Sequence, residues 1–220
     1  MATSTVENYL KTLYAEQQRA GGGLVAMGAV AAAMRVAPGT ATAMVKALAE
    51  SDLVEYEPRG GVRLTGKGEK LALHVLRRHR LVELFLVEVL GLDWSEVDEE
   101  AEELEHAISD KVLSKIDDLL GHPEVDPHGD PIPTAKGKVT HRSLMSLAEC
   151  ELGRAVRVAR VIDQNPQFLQ FVDRHSLRPG TEVVVRSRDD VADAVAVHPR
   201  NQPSLTLGTK AAAKILVEAV

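Results

Sequence analysis

Residues 24–65 carry the pattern that most restricts what this chain can fold into. Leu24–Met34 is apolar almost throughout (LVAMGAVAAAM), and Ala37, Pro38 and Gly39 then make a tight turn. Thr40–Ser51 resumes as a helix with Met44, Val45, Leu48 and Ala49 directed inward. Two β-prone runs follow, Leu53–Tyr56 and Val62–Thr65, on either side of Pro58-Arg59-Gly60-Gly61. Helix, turn, helix and a hairpin with a basic tip together spell a winged helix-turn-helix. An amphipathic helix over residues 4–19 precedes it, with Val6, Leu10, Leu13 and Tyr14 on one face and Gly21, Gly22 and Gly23 ending it.

The second helix of such a unit enters the major groove with its N-terminal residues facing the bases. Those residues are Thr40, Ala41, Thr42 and Ala43, with Lys46 one turn on. Thr40 and Thr42 can donate to base edges or phosphates, and their methyls, like that of Ala43, can touch thymine methyls. Lys46 is placed for a phosphate, and Arg59 and Arg63 on the hairpin for the flanking backbone, with Lys67 and Lys70 beyond them. Taken singly, each of these residues also suits a helix cap or a solvated hairpin tip; the arrangement as a whole points to DNA. The reading helix has no Arg, Asn or Gln, so specificity leans on apolar contact and DNA shape.

The net charge of −6 looks unsuited to a nucleic-acid partner until it is resolved along the chain. Residues 1–80 carry 11 Lys and Arg against 7 Asp and Glu, a net of +4. Residues 81–140 carry 4 against 16, a net of −12, and residues 141–220 carry 11 against 9, a net of +2. A basic head suits phosphates and an acidic middle suits cations. The single cysteine, Cys150, excludes an internal disulfide and fits a reducing, cytoplasmic setting. The N-terminus lacks the pattern of a signal peptide, and no run of 18 apolar residues exists, so no membrane partner is expected.

Gly66–Val89 reads as one long helix ended by Gly91. A further helix is expected to start at Trp94-Ser95, with Ser95 as its N-cap, and to run to about Leu120. Residues 121–140 are too rich in Pro and Gly for regular helix. From about Ser143 the pattern changes to short strands, Val156–Ile162, Glu182–Ser187, Asp193–His198, Ser204–Leu207 and Ile215–Ala219, with one helix near Pro166–Arg174. The expected fold is mainly α with a small C-terminal β-barrel. It divides into a DNA-binding domain over 1–72, a helical domain with its linker over 73–142, and the barrel over 143–220.

The acidic helix (WSEVDEEAEELEHAISD) has Val97, Ala101, Leu104 and Ile108 as its core stripe. Beside that stripe run Asp98, Glu102, Glu105 and His106. Residues three and four apart project together, so Glu102, Glu105 and His106 can converge on one cation. On the preceding helix His79 and Glu83 share a face, and antiparallel packing would bring them towards Asp98 and Glu102. The bland alternative, a solvated acidic face, accounts for Glu99, Glu100 and Glu103. His-plus-carboxylate ligands suit manganese, ferrous iron or zinc. There is no cysteine pair for structural zinc. His128, His141, His175 and His198 are read as surface or loop residues.

The arrangement resembles the DtxR/MntR family of metal-dependent regulators. The residues that carry the likeness are ENYLKTLY at 7–14, LTGKGEKLA at 64–72, RRHRLVELFL at 77–86, EELEHAISD at 102–110, PHGDPIP at 127–133 and LRPG at 177–180. The resemblance implies a homodimer built through helices around 81–120, a palindromic double-stranded operator, regulated genes for metal uptake or efflux, and an SH3-like, FeoA-related C-terminal domain. It implies a primary metal site of Glu102, Glu105 and His106, with His79 in manganese-type members, and an ancillary site of His79, Glu83 and Asp98 with Gln167. Glu102 stands where iron-type members have Cys, and a hard oxygen there favours Mn2+ over Fe2+, with Zn2+, Co2+ or Cd2+ as surrogates. Manganese-type members also carry acidic ligands on the first helix; here those positions are Asn8, which still offers a carbonyl oxygen, and Lys11, which cannot bind a cation. The reading is a manganese-responsive repressor and not an enzyme. The alternatives are an iron-responsive member of the same family, a FeoA-like metal-handling accessory protein without DNA binding, and, more distantly, a metallohydrolase.

Overall fold

A computed structural model describes residues 3–140 and 142–220, so His141 lies outside the described residues. The elements follow the chain as α1 (Ser4–Arg19), α2 (Met27–Ala33), α3 (Pro38–Glu50), β1 (Val54–Glu57), β2 (Gly61–Leu64), α4 (Gly66–Glu88), α5 (Val97–Leu104) and α6 (Asp110–Leu119). The C-terminal part adds β3 (Met145–Ser146), β4 (Ala155–Val161), α7 (Pro166–Arg174), β5 (Glu182–Asp189), β6 (Ala194–Pro199), β7 (Leu205–Gly208), α8 (Thr209–Ala212) and β8 (Ile215–Ala219). Two units are distinguishable, residues 1–79 with 133–138, and residues 80–132 with 139–220.

In the first unit α1 buries Leu10, Leu13 and Tyr14 as expected, with Tyr9 in addition and Val6 only half-buried, and α3 buries Ala41, Val45 and Leu48. Pro38 occupies the first turn of α3, where its missing N–H costs nothing. The hairpin pairs Val54 with Leu64 and Glu57 with Gly61. Val25, expected in helix, instead forms a bridge with Val62 and is joined to it by two backbone hydrogen bonds. That approach requires glycine next to Val62, because a Cβ on Gly61 would lie 2.6 Å from the Val25 carbonyl oxygen.

The single helix expected from Trp94 to Leu120 is two helices. Ser95 does not cap it: its N–H and hydroxyl both donate to Asp93 Oδ1, at 2.8 and 2.5 Å, and α5 starts at Val97. Ser109 then caps α6 by accepting from Val112 N, and it divides the run. A serine that binds its own downstream N–H groups competes with helix continuation, and this is why the break falls there. The apolar stripe is correspondingly shorter: Val97 and Ala101 are buried, whereas Leu104 is 38% exposed.

The C-terminal strands lie close to their expected positions, and α7 matches residue for residue. They form one six-stranded sheet in the order β3-β8-β4-β5-β6-β7. Among the described residues β3 and β7 are its edges and do not pair, so the sheet is not closed into the small barrel expected. Its core holds Val156, Val158, Val183, Val185, Val195, Val197, Leu207, Ile215 and Val217, together with Leu169 and Val172 of α7. Trp94 and Cys150 belong to the same core. No helix of the described residues is long and apolar enough to cross a membrane.

Candidate metal centre and DNA-facing residues

The 126–130 turn is organised by one carboxylate. Asp126 Oδ1 accepts from the backbone N–H groups of His128 (2.8 Å) and Asp130 (3.0 Å), an arrangement that folds the turn over its own side chain. Gly129 takes a φ of +86°, and a Cβ there would lie 2.0 Å from the Ala159 carbonyl oxygen. The His128 carbonyl accepts from Val161 N (2.8 Å), which ties the turn to β4. Asp130 completes the anchoring through an ion pair with Arg160 and contacts at 3.3 Å with Arg80 and Gln164, while Arg80 also donates to the Pro131 carbonyl.

This places three ligand-capable side chains together. Glu83, Asp126 and His128 are all buried and offer ligand atoms within 4.8 Å of one another. His128 Nε2 lies 2.9 Å from the Trp94 carbonyl oxygen. A carbonyl only accepts, so Nε2 carries the hydrogen and the neutral ring presents its Nδ1 lone pair. That lone pair has no hydrogen-bond partner and lies 3.7 Å from Glu83 Oε1. Two electron-rich atoms facing each other in a dry site are unfavourable unless a cation or a proton lies between them. The Asp126 carboxyl is pushed well above the usual carboxylate range, first by burial and then by the charges of Asp130 and Glu83, with Arg80 opposing. A divalent ion would relieve the same stress, so the group fits a metal. Its imidazole is oriented through a second hydrogen bond, as metal-binding histidines usually are. Spacing alone does not bring Glu83 to this turn, and it reads His128 as a surface or loop residue. His128 is in a loop but fully buried, and its one sequence signal is the Asp-x-His spacing inside the Pro/Gly-rich segment.

His79, near the end of the first unit, is buried. Glu105 is buried, Glu102 half-buried and Asp98 exposed. His106 Nε2 lies 3.4 Å from Glu105 Oε1. Asn8 Oδ1 is a buried oxygen with no hydrogen-bond partner, an acceptor available to a cation. Gln167 is exposed at the start of α7. Cys150, the chain's single cysteine, is buried in the core of the C-terminal sheet, and burial pushes its thiol up.

On the DNA side Thr40, Ala43, Lys46 and Arg59 are exposed, and Thr42 is half-buried with its hydroxyl donating to the Pro38 carbonyl (2.8 Å). Arg63 is held by Glu55 across the hairpin, with Nε 2.7 Å from Oε2. Lys67 donates to the Ser51 carbonyl (2.9 Å). Arg59 at the hairpin tip has a φ of 69°, a left-handed conformation uncommon for arginine.

Comparison with known proteins agrees with this layout. Residues 1–62 match the model of the iron dependent repressor N-terminal DNA binding domain, residues 65–134 that of the iron dependent repressor metal binding and dimerisation domain, and residues 145–219 the FeoA domain. The iron-dependent repressor IdeR of Mycobacterium leprae is 34% identical over 130 residues, which are 59% of this chain and 55% of that protein. The chain thus spans about half the length of such curated relatives. The diphtheria toxin repressor of Corynebacterium diphtheriae is 29% identical over 197 residues, covering 84% of this chain and 85% of that one. A manganese-dependent transcriptional repressor solved in complex with manganese superposes with a TM-score of 0.86 at 36% identity, covering 98% of this chain and all of the other. ScaR with bound Cd2+ gives 0.80 at 32%, covering 98% and 99%. The chain therefore belongs to the iron-dependent repressor family, the family of the diphtheria toxin repressor.

Proposed function

We propose that this protein is a manganese-responsive DNA-binding transcription regulator of the cytoplasm. It works as a homodimer on a palindromic operator and represses metal-uptake genes when loaded. Its parts are a winged helix-turn-helix (1–72), a helical metal-binding and dimerisation domain (73–142) and an SH3-like domain (143–220). It is read as a regulator and not an enzyme, in keeping with the DNA-binding repressors it is similar to.

The observation that carries this reading is the buried Glu83–Asp126–His128 group, with the His128 lone pair turned to a carboxylate oxygen. Bound there, a divalent ion supplies charge neutralisation and a fixed cross-link, not chemistry. Glu83, Asp126 and His128 would hold it, while the Trp94 carbonyl orients the imidazole and Arg80 and Asp130 orient the turn. The resemblance adds a primary ligand set of Glu102, Glu105 and His106, with Asn8 as the first-helix candidate, and an ancillary set of His79, Glu83, Asp98 and Gln167 as further candidates. A donor set of carboxylates and imidazole without thiolate favours Mn2+ over softer ions. Thr40, Thr42, Ala43, Lys46, Arg59 and Arg63 form the DNA-facing set.

Identity with iron-dependent repressors supports a second reading, in which the ion is Fe2+. Operator affinity is measured against free Mn2+ and free Fe2+ under anaerobic conditions. The proposal expects tight binding only with metal and a midpoint at lower free Mn2+ than the free Fe2+ available to the cell. Affinity that ignores metal refutes it.

A further inference from the structure

Trp94, the chain's only tryptophan, meets His128 twice. Its carbonyl oxygen accepts from His128 Nε2 at 2.9 Å, and its indole stacks on the imidazole, with centroids 5.4 Å apart and planes 26° from parallel. The indole is 2% exposed and sits in the core of the C-terminal sheet with Leu147, Val158 and Val217. The Arg178 guanidinium lies over the same ring, 4.8 Å from its centroid, and is itself paired with Asp173. The two contacts to His128 fix different things. The carbonyl decides which ring nitrogen keeps its hydrogen, and the stacked indole decides the plane in which the imidazole lies. An imidazole held by one hydrogen bond alone keeps the freedom to tilt, and tilting carries the Nδ1 lone pair away from Glu83 Oε1.

We propose that Trp94 is a positioning residue for the Glu83–Asp126–His128 group: its indole holds the imidazole in the plane that presents Nδ1, and it ties the affinity of that group for a divalent ion to the packing of the C-terminal sheet. The inference rests on the metal-responsive reading above. A ligand already in its binding orientation loses less freedom when the ion arrives, so an orienting contact strengthens the site without adding a donor. The indole also contributes electrostatically. An imidazole bound to a divalent ion carries positive charge, and the face of an indole attracts cations. The turn that carries His128 is fastened to β4 as well, through Val161 N and the close approach of Gly129 to the Ala159 carbonyl, so the sheet reaches the group by two routes. Linkage makes the coupling reciprocal. A sheet core that seats Trp94 favours the ion, and the ion stabilises that seat by the same free energy.

The test uses manganese as the probe and the lone tryptophan as the reporter. Purified full-length protein is titrated with MnCl2 while indole emission is followed, alongside His128→Ala and Glu83→Gln. Emission of the parent is expected to fall saturably, because a paramagnetic ion on the stacked imidazole quenches the indole, and to stay flat in both variants. Trp94→Leu and Trp94→Phe are then compared with the parent by equilibrium dialysis against MnCl2, for the binding step that His128→Ala removes. Trp94→Leu keeps the carbonyl and loses the stack, and its affinity in that step should fall about 10–100-fold, the usual cost of removing an orienting partner. Trp94→Phe keeps an aromatic face and should recover most of that loss, although both variants melt below the parent in EDTA. The emission arm leaves the core unaltered, so it tests the contact even where Trp94→Leu fails to fold. Equal affinity in the parent, Trp94→Phe and Trp94→Leu overturns the proposal. So does manganese binding that is lost in His128→Ala yet leaves the parent's emission unchanged. Binding that survives intact in both His128→Ala and Glu83→Gln overturns the reading of the group as a metal site, and this inference with it.

Discussion

His128 Nδ1 lies 3.7 Å from Glu83 Oε1, with both side chains only 1% exposed. One residue comes from a helix and the other from a Pro/Gly-rich turn. Their approach creates a site that neither segment contains alone. A cation between them converts an unfavourable contact into two favourable ones, so binding and folding are linked at this point.

The first expectation concerns this pair. At manganese about 100-fold above the dissociation constant, the protein should gain roughly 2.7 kcal/mol of stability. Glu83→Gln and His128→Ala should lose that gain when melts with and without MnCl2 are compared. A full manganese shift in both variants would exclude the group as a metal site.

The turn that delivers His128 is set by Gly129. Gly129→Ala places a Cβ 2.0 Å from the Ala159 carbonyl oxygen at a φ of +86°. Overpacking costs about 1–3 kcal/mol, and a left-handed alanine about 1–2 more. Urea melts should show a loss in this range, together with weaker manganese binding. Stability within 0.5 kcal/mol of the parent, roughly the scatter of ordinary surface substitutions, would mean that the backbone moves aside freely.

The DNA-facing residues separate by salt dependence. Lys46→Ala and Arg59→Ala should each lower the slope of log affinity against log salt by about 0.9 for every phosphate that is no longer neutralised. Arg63→Ala should change it less, because Glu55 already holds that guanidinium at 2.7 Å. Equal slopes for all three variants and the parent would remove the hairpin and the reading helix from the interface.

Asp93 supplies a pH test away from metal and DNA. Hydrogen bonds from the Ser95 hydroxyl and backbone hold its carboxyl below the ordinary value of 3.8. A depressed folded value means that the stabilisation is present above the unfolded value and is lost as pH falls through the folded one. Ser95→Ala should therefore melt lower than the parent at neutral pH, with the gap closing in strong acid. A gap that persists unchanged into acid would assign the effect to packing of the buried Ser95.

Much of the fold is legible in the sequence because its causes are local. The inward face of α1, the Pro38 start of α3, the hairpin around Arg59-Gly60 and the bounds of α7 and β8 follow from periodicity, proline and glycine. The departures have a common origin. Ser95 and Ser109 are both plausible caps in sequence, and the choice between them depends on Asp93 taking both Ser95 donors. Val25 reads as helix but pairs with Val62, a partner far along the chain.

The site divides the same way. Residue types and spacing by themselves determined that an acidic helical region follows a basic DNA-facing head, and that Glu102, Glu105, His79 and Glu83 are ligand-capable, because charge and helical spacing are written along the chain. Only the tertiary structure decided which ligands share a space. It brought His128 and Asp126 to Glu83, turned the His128 lone pair inward through the Trp94 carbonyl, and laid the Trp94 ring against the imidazole. Those relationships depend on where separate segments stop in three dimensions, on a glycine that lets one backbone approach another, and on which hydrogen-bond partner each ring nitrogen meets. None of these is a property of any window of sequence.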